Sequence, residues 1–526
     1  MISALVLFLA ALAPGIIASG SALALLRVPL EPVVALAVLA VLPWPGIRRI
    51  VAVLFAVVLA AVIASAALDF GFTTTVDQPF NVVTGWPEVV AAYGVLRDST
   101  GTLAAEGVLV LIGLAVPAAI IVLTWSLLHL DSVIRQHRRT TLIGASAITA
   151  AWVIFALVGA QIVVGEPIAA SGTVTAAIAK SHQVSATAAE QKAFDQAGRN
   201  DAYASVPPSD LLTGLKGKDV IIAFIESYGQ VAVQNSSFSA GVDQVLRNGT
   251  AALAAHGYSE RSAFLTSPTF GGISWLAHST LQTGLWIDSQ QKYDQVTAGN
   301  RFTLSAAFKK AGWHTISDVP SDTEPWRIGT SFYQFDTQLN STNVGYVGPQ
   351  FSYARIPDQF TWAYFQDHEL AEPHQPLMAE IDFVSSHTPW TPLPHQVPWT
   401  AVGDGSIFDP QPAQGLTPSV VWQNPQHVQQ LYGQSVQYTM STLFSFLTTY
   451  DDPNLVLVVL GDHQPATVVS GLDASHNVPI SIISKDPGVI SRISSWNWQP
   501  TMLPTATAPV WRMDAFRNRF LSAYGP

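Results

Sequence analysis

The side chains best suited to chemistry in this chain stand just after short apolar runs. "DVIIAFIE" ends in Glu226, "LVLVVLGDH" ends in Asp462 and His463, and "LMAEIDFVSSH" ends in His387. A further run, "AFLT", leads through "SPTFGGI" to Ser274. Glu226, Asp462 and His463 together offer two carboxylates and an imidazole. Oxygen ligands with one nitrogen suit one divalent cation, and Mn2+, Mg2+ and Zn2+ are all chemically acceptable. Such an ion lowers the pKa of a coordinated hydroxyl and neutralises an anionic substrate. Taken singly, a carboxylate after a strand is as readily a helix cap. The pattern lies in several such ends agreeing.

The stretch "TFGGISWLAHST" offers Thr269, Ser274, Ser279 and Thr280 as hydroxyls, with Thr266 just upstream. Ser274 comes after Gly271-Gly272-Ile273, and the helical spacing beyond it runs to a stop at Gly284. That puts Ser274 at a helix start, where free N–H groups and the helix dipole favour an alkoxide or a phosphate. A serine that merely caps the helix would occupy the same place. Thr266 and Thr269 precede the glycines on the expected loop, and Ser279 and Thr280 lie a turn or more into the helix. Ser274 is therefore the expected nucleophile.

The elements that must hold these residues are read from periodicity. "DVIIAFI", "AFLT", "HTISDV", "LMAEIDFV", "LVLVVLG" and "VPISIIS" are apolar runs of strand length. "RFTLSAAFKKAG", closing on Gly312, and "LYGQSVQYTMSTLFSFLTTY" have helical spacing. Strands alternating with helices predict an α/β domain with a central, mostly parallel sheet over 211–526. Ligands in such sheets bind outside the carboxyl ends of the strands, where the residues above fall.

Of all residues 49% are hydrophobic and 12% charged, too apolar for an ordinary soluble enzyme. The excess lies in residues 1–165, where five runs at about 3–26, 29–46, 50–68, 104–128 and 141–164 approach the roughly 20 residues needed to span a bilayer. A signal peptide has one apolar region, so it does not account for the set. With a cytoplasmic N-terminus, Arg48-Arg49 and Arg135, Arg138, Arg139 fall on inner loops. The outer loop 69–103 carries Asp69, Asp77, Glu88 and Asp98 against Arg97, while Arg27 falls outside. Five crossings deliver the 211–526 domain to the extracytoplasmic side of the cell membrane.

Residues 166–210 read as a partly helical linker ending at "SVPPSD", in which Ala202-Tyr203-Ala204 forms a small-x-small pattern of the kind cut by signal peptidases. The absence of cysteine excludes thiolate chemistry and thiolate metal sites. A net charge of −11 argues against nucleic acid as a partner. The spans carry few ionisable residues, which argues against a transporter.

These motifs resemble the lipoteichoic acid synthase group of membrane sulfatase-like proteins in the alkaline phosphatase superfamily, over essentially the whole chain. The resemblance implies one Mn2+ held by Glu226, Ser274, Asp462 and His463. It implies that Ser274 takes a phosphoglycerol group from a membrane phospholipid donor as a covalent intermediate, for transfer to a cell-envelope glycan or lipid acceptor. It places His387, Trp326 and Arg327 (the last two in "DTEPWRIG") at the substrate, although the family's Arg stands two beyond the Trp. The family's usual threonine is Ser274 here. A Cys/Ser-x-Pro-x-Arg sulfatase signature is absent, which argues against sulfatase activity. His476 is the available residue for a second metal. A phosphodiesterase or phosphatase of the same fold, and a membrane scaffold with a degenerate enzyme domain, are the competing expectations.

Overall fold

The computed structural model describes residues 1–90, 93, 102–170, 172–371 and 374–525. The chain divides into two compact units, Met1–Thr74 with Gln78–Glu190, and Thr75–Asp77 with Gln191–Pro526. Arg97 and Asp98 of the expected outer loop lie outside the described residues.

In the first unit, four helices among the described residues are long and apolar enough to cross a membrane: Ile2–Ser19, Pro45–Val76, Glu106–Gln136 and Arg138–Leu157. The first stops short of the expected residue 26 because Gly20 turns left-handed (φ 62°) and a 3-10 turn, Ala22–Leu26, succeeds it. The run at 29–46 forms only Glu31–Val41, opened by Pro32 and closed off by Pro43 and Pro45, which cannot continue a helix. At about 1.5 Å per residue it is roughly 16 Å long, half the hydrocarbon thickness of a bilayer.

That short helix is nevertheless packed among the longer ones. Ala35 and Leu39 are buried with Leu7, Ala56, Leu59, Leu123 and Leu127. Trp152 Nε1 donates to the Val28 carbonyl (2.9 Å) and Arg138 to the Val41 carbonyl (3.3 Å). The segment 28–41 thus runs antiparallel along Arg138–Leu157. Asp131 lies 3.5 Å from both Arg48 and Arg135, so the two arginine-bearing turns share one end of this unit. Arg27 is paired with Glu166 at 2.6 Å. Among the described residues, the segment expected as a partly helical linker holds the α-helix Gly172–Arg199 and a 3-10 turn, Pro208–Asp210.

The second unit is built on an eight-stranded sheet. Its strands are β1 (Asp219–Ile225), β2 (Ser259–Thr266), β3 (His314–Val319), β4 (Thr337–Asn340), β5 (Leu377–Phe383), β6 (Leu455–Gly461), β7 (Asn477–Ser484) and β8 (Val510–Arg512). Their order across the sheet is β8-β2-β7-β6-β1-β5-β3-β4. All neighbouring pairs are parallel except those of β7, which runs antiparallel to β6 and β2. β1, β2, β5 and β6 consequently point their carboxyl ends the same way.

The mainly apolar runs reflect burial on both faces. Ile221, Ala223 and Ile225 of β1 face one core, closed by helices α1 (Ser239–Ala255) and a long helix over Pro425–Tyr450. Val220, Ile222 and Phe224 face the other, closed by α2 (Ser274–Thr283) and α3 (Leu304–Ala311). The α/β fold with a mostly parallel sheet and helices on both faces is therefore as the sequence predicts. Strands β4 and β8 carry too few apolar residues to be seen there.

Candidate active site and metal centre

Glu226 comes directly after the last residue of β1, and its backbone N–H is tied to the Phe383 carbonyl at the end of β5 (3.1 Å). Asp462 comes after Gly461 at the end of β6. A Cβ on Gly461 would lie 1.9 Å from the Tyr228 carbonyl oxygen, so only glycine lets the β1 and β6 ends approach this closely. The close approach sets the carboxylates together. Asp462 Oδ1 accepts the backbone N–H of Ser227 (2.8 Å) and of His463 (2.7 Å). Its other oxygen, Oδ2, is buried and has no hydrogen-bond partner.

Ser274 is the first residue of α2, after Gly271 (φ 69°) and Ile273 (φ 64°), which bend the chain sharply into the helix. The N-cap position is Ile273, so Ser274 is not the cap. Instead Oγ donates to Glu226 Oε2 (3.0 Å) and lies 3.1 Å from His463 Nε2. The threonine hydroxyls are engaged elsewhere. Thr266, which ends β2 and is not on the loop, donates to Asn477 (3.0 Å); Thr280 accepts the Ile287 N–H (3.0 Å). Thr269 and Ser279 are buried.

His463 is held by its Nδ1, 2.7 Å from the Gln464 carbonyl, so Nδ1 carries the proton toward that oxygen and Nε2 faces the carboxylates. Nε2 lies 3.2 Å from Glu226 Oε1 and 3.6 Å from Asp462 Oδ2. One ligand atom each of Glu226, Asp462 and His463 falls within 4.8 Å of the others. An orphaned carboxylate oxygen, an imidazole fixed from behind by a carbonyl and a serine hydroxyl on the same point are what a divalent cation needs. The residues fit such an ion. Without it, burial and the Glu226 charge push Asp462 up to about 7, while burial lowers His463 but Asp462 and Glu226 outweigh it and hold the imidazole up at about 9. Burial opposes the ionised form of Glu226, yet His387 and His463 beside it keep it well below the usual carboxylate range.

His387 sits in the turn after β5, with Nδ1 2.6 Å from the Thr388 carbonyl. Burial depresses its pKa, partly offset by Glu226. Tyr353 stacks on its ring, centroids 3.5 Å apart. Trp326 and Arg327 open a short helix, Arg327–Ser331. The Trp326 ring packs on Tyr333 and Phe335, and Arg327 is exposed. Among the described residues, neither bonds to Glu226, Ser274, His387, Asp462 or His463. His476 packs against Phe270 rather than in the cluster.

The sequence left out Tyr353, which lies in a loop with no periodic signal, and a second polar group formed by His278, Glu380 and Asp382. The latter had a signal: two acids at alternate positions of an otherwise apolar strand, and a histidine four residues after Ser274.

Neither a family model nor a curated protein matches this sequence. Several solved structures are similar in fold. The lipoteichoic acid synthase LtaP from Listeria monocytogenes is 15% identical over 56% of this chain and 71% of its own, with a TM-score of 0.34. The integral membrane phosphoethanolamine transferase EptA from Neisseria meningitidis is 12% identical over 93% of this chain and 86% of its own (TM-score 0.45). The phosphoglycerol transferase GacH from Streptococcus pyogenes, solved with sn-glycerol-1-phosphate, is 13% identical over 65% and 91% (TM-score 0.36).

Proposed function

We propose that this chain is a metal-dependent phosphotransferase that moves a phosphoglycerol-type group from a membrane phospholipid to a cell-envelope glycan or lipid acceptor, with 211–526 as its catalytic domain. The carrying observation is the convergence of Ser274 Oγ with Glu226, at 3.0 Å, and His463, at 3.1 Å, at a helix start. A divalent cation (Mn2+ by the family resemblance) bound by Glu226, Ser274, Asp462 and His463 supplies positive charge to the serine oxygen and to the phosphodiester.

The chain's own groups supply the rest. The start of α2 directs free backbone N–H groups toward developing negative charge. Ser274 Oγ forms a bond to phosphorus as the bond from phosphorus to the lipid alcohol breaks. The proton lost by the hydroxyl is matched by one gained by the leaving alcohol. The hydroxyl gives up the proton it already shares with Glu226 Oε2 and regains it when the phosphoryl group departs. His387, with Nδ1 committed to the Thr388 carbonyl, offers Nε2 to protonate the leaving alcohol. In the second half the acceptor hydroxyl loses its proton to the same nitrogen and takes the phosphoryl group from Ser274. Trp326 and Arg327 complete the assignment as substrate contacts outside this cluster.

We read five crossings, with the segment 29–46 as the second. It runs along Arg138–Leu157 from Arg138 to Trp152, about 21 Å of that helix at 1.5 Å per residue. An odd number with a cytoplasmic N-terminus puts 211–526 outside.

The test is incubation of the purified chain with Mn2+ and a labelled phospholipid, then mass spectrometry. A phosphoglycerol-type adduct on Ser274, chased off by acceptor, is expected. Label appearing only as free phosphate or glycerophosphate, with none passed on, would make the protein a hydrolase; no adduct on Ser274 would remove the nucleophile.

A further inference from the structure

We propose that His278, Glu380 and Asp382 form a second divalent-cation site, separate from the one at Glu226, Asp462 and His463. Helix α2 places His278 one turn after Ser274, on the same face. Glu380 and Asp382 alternate on β5 and so project to one side of the sheet, where Asp382 is in register with Phe224 of β1. The three side chains are largely buried, and one ligand atom of each lies within 4.8 Å of the others.

The spacings favour a shared ion over direct pairing. His278 Nδ1 lies 3.4 Å from Asp382 Oδ1 and 3.5 Å from Glu380 Oε1. A charge-assisted N–H···O bond closes to about 2.7–2.9 Å. Histidine–carboxylate pairs outside the two clusters range from 3.1 Å (His256–Asp451, His374–Asp219) to 3.8 Å (His314–Asp336) and 3.9 Å (His476–Asp77). Two ligands bound at about 2.1 Å to one tetrahedral centre are roughly 3.4 Å apart, which is the spacing seen. The first site shows the same range, 3.0–3.6 Å.

The ligands are also fixed from behind, as metal ligands are. Gln282 Nε2 donates to the second oxygen of Glu380, Oε2 (2.5 Å). The His278 ring lies flat on Phe224, centroids 3.7 Å apart and 14° from parallel. Charge points the same way. The Asp462 charge reaches both His278 and Asp382, and that of Glu226 reaches Asp382. Glu226, Asp462, Glu380 and Asp382 carry four negative charges when ionised, which two divalent ions balance with both imidazoles neutral. One nitrogen and two carboxylates with an open position suit Zn2+ or Mn2+.

The experiment strips the purified full chain with a chelator, reloads it with Zn2+, and counts metal per chain by mass spectrometry. Two ions are expected in the parent, one in Asp382→Asn and one in Glu226→Gln. A parent count, whether two or one, that Asp382→Asn leaves unchanged overturns the proposal. If the assignment of the first site is at fault instead, Glu226→Gln keeps the parent count while Asp382→Asn still lowers it. Should Asp382→Asn fail to fold, Glu380→Gln and an anomalous difference map of the zinc-loaded parent decide the matter. A peak among the three side chains supports the site, and its absence means a protonated His278 simply bridges two carboxylates.

Discussion

Tyr353 lies flat against His387, ring centroids 3.5 Å apart and planes 12° from parallel. The Thr388 carbonyl holds one ring nitrogen of the histidine and Tyr353 holds the ring face, so Nε2 has one direction to point. Tyr353 acts through His387 and is a positioning residue. Such a ring pair contributes about 0.5–1.5 kcal/mol beyond area burial, or roughly twofold to tenfold in rate. Tyr353→Ala should lower kcat by that factor with little change in KM, while Tyr353→Phe keeps the stack and restores the rate. In a His387→Ala background, Tyr353→Ala should have no further effect on kcat. Additive losses would show that Tyr353 works by another route.

Ser274→Ala should abolish turnover and leave the fold intact, because the hydroxyl is only partly buried and caps nothing. Ser274→Thr should keep part of the activity, since the chemistry of the hydroxyl is retained and one methyl is added. His387→Ala should slow turnover by roughly 10²–10⁴-fold, the usual contribution of one general acid–base group. If Ser274→Ala is near normal and Thr269→Ala is dead, the nucleophile has been misassigned.

The fold was legible because β1, β5, β6 and β7 are buried on both faces and so read as mainly apolar runs, interrupted only by Glu380 and Asp382 in β5 and by serines in β7. Glu226, Ser274, His387, Asp462 and His463 were legible because the loops leaving the carboxyl ends of parallel strands gather on one edge of the sheet. Other parts of the site depend on long-range packing. Tyr353 reaches His387 from a loop whose sequence has no period, and His278 meets Asp382 only once α2 is laid against β5. In the membrane unit the apolar run at 29–46 overstated the helix, because prolines at both ends cut it to Glu31–Val41.

Asp318 gives a pH dependence away from the site. It is 2% exposed on β3, and burial, with Glu369 adding to it, pushes its pKa up to about 7 from 3.8. Between those values the folded chain keeps a proton that the unfolded chain has lost. Stability from this group is therefore full below about pH 4 and falls as pH rises toward 7. Asp318→Asn should remove that fall. The melting temperature of the variant relative to the parent should climb between pH 4 and pH 7 by several degrees. A difference that stays flat with pH would mean Asp318 is ionised in the folded protein.

Asp462→Asn tests the first metal centre with little change in shape. The amide oxygen can keep the two backbone N–H bonds from Ser227 and His463, but the orphaned Oδ2 becomes an NH2 that cannot bind a cation. Affinity for the ion at this centre should fall by more than the roughly 10–100-fold typical of losing a supporting partner. Chelation should silence the parent, and returning Mn2+ should restore it. A variant that binds and turns over like the parent would remove Asp462 from the ligand set.

The last expectation concerns which side of the membrane the 211–526 domain occupies. Arg48 and Arg135 meet at Asp131, so the two arginine turns lie at one end of the helical unit and take the same side. By the positive-inside rule that side is cytoplasmic. Arg27, the residue that conflicts with this, is neutralised by Glu166 at 2.6 Å, which weakens its pull on orientation. The segment 28–41 must then cross, short as its helix is, for Arg27 and Arg48 to stand on opposite sides. A reporter active only outside the cytoplasm should work when fused after residue 526 and fail when fused between Arg48 and Arg49. The reverse pattern would place 211–526 in the cytoplasm. Activity at both points would mean that one of the three helices after Arg48 does not cross. A third fusion, after Arg27, reporting the same side as the one at Arg48 would mean that 28–41 does not cross.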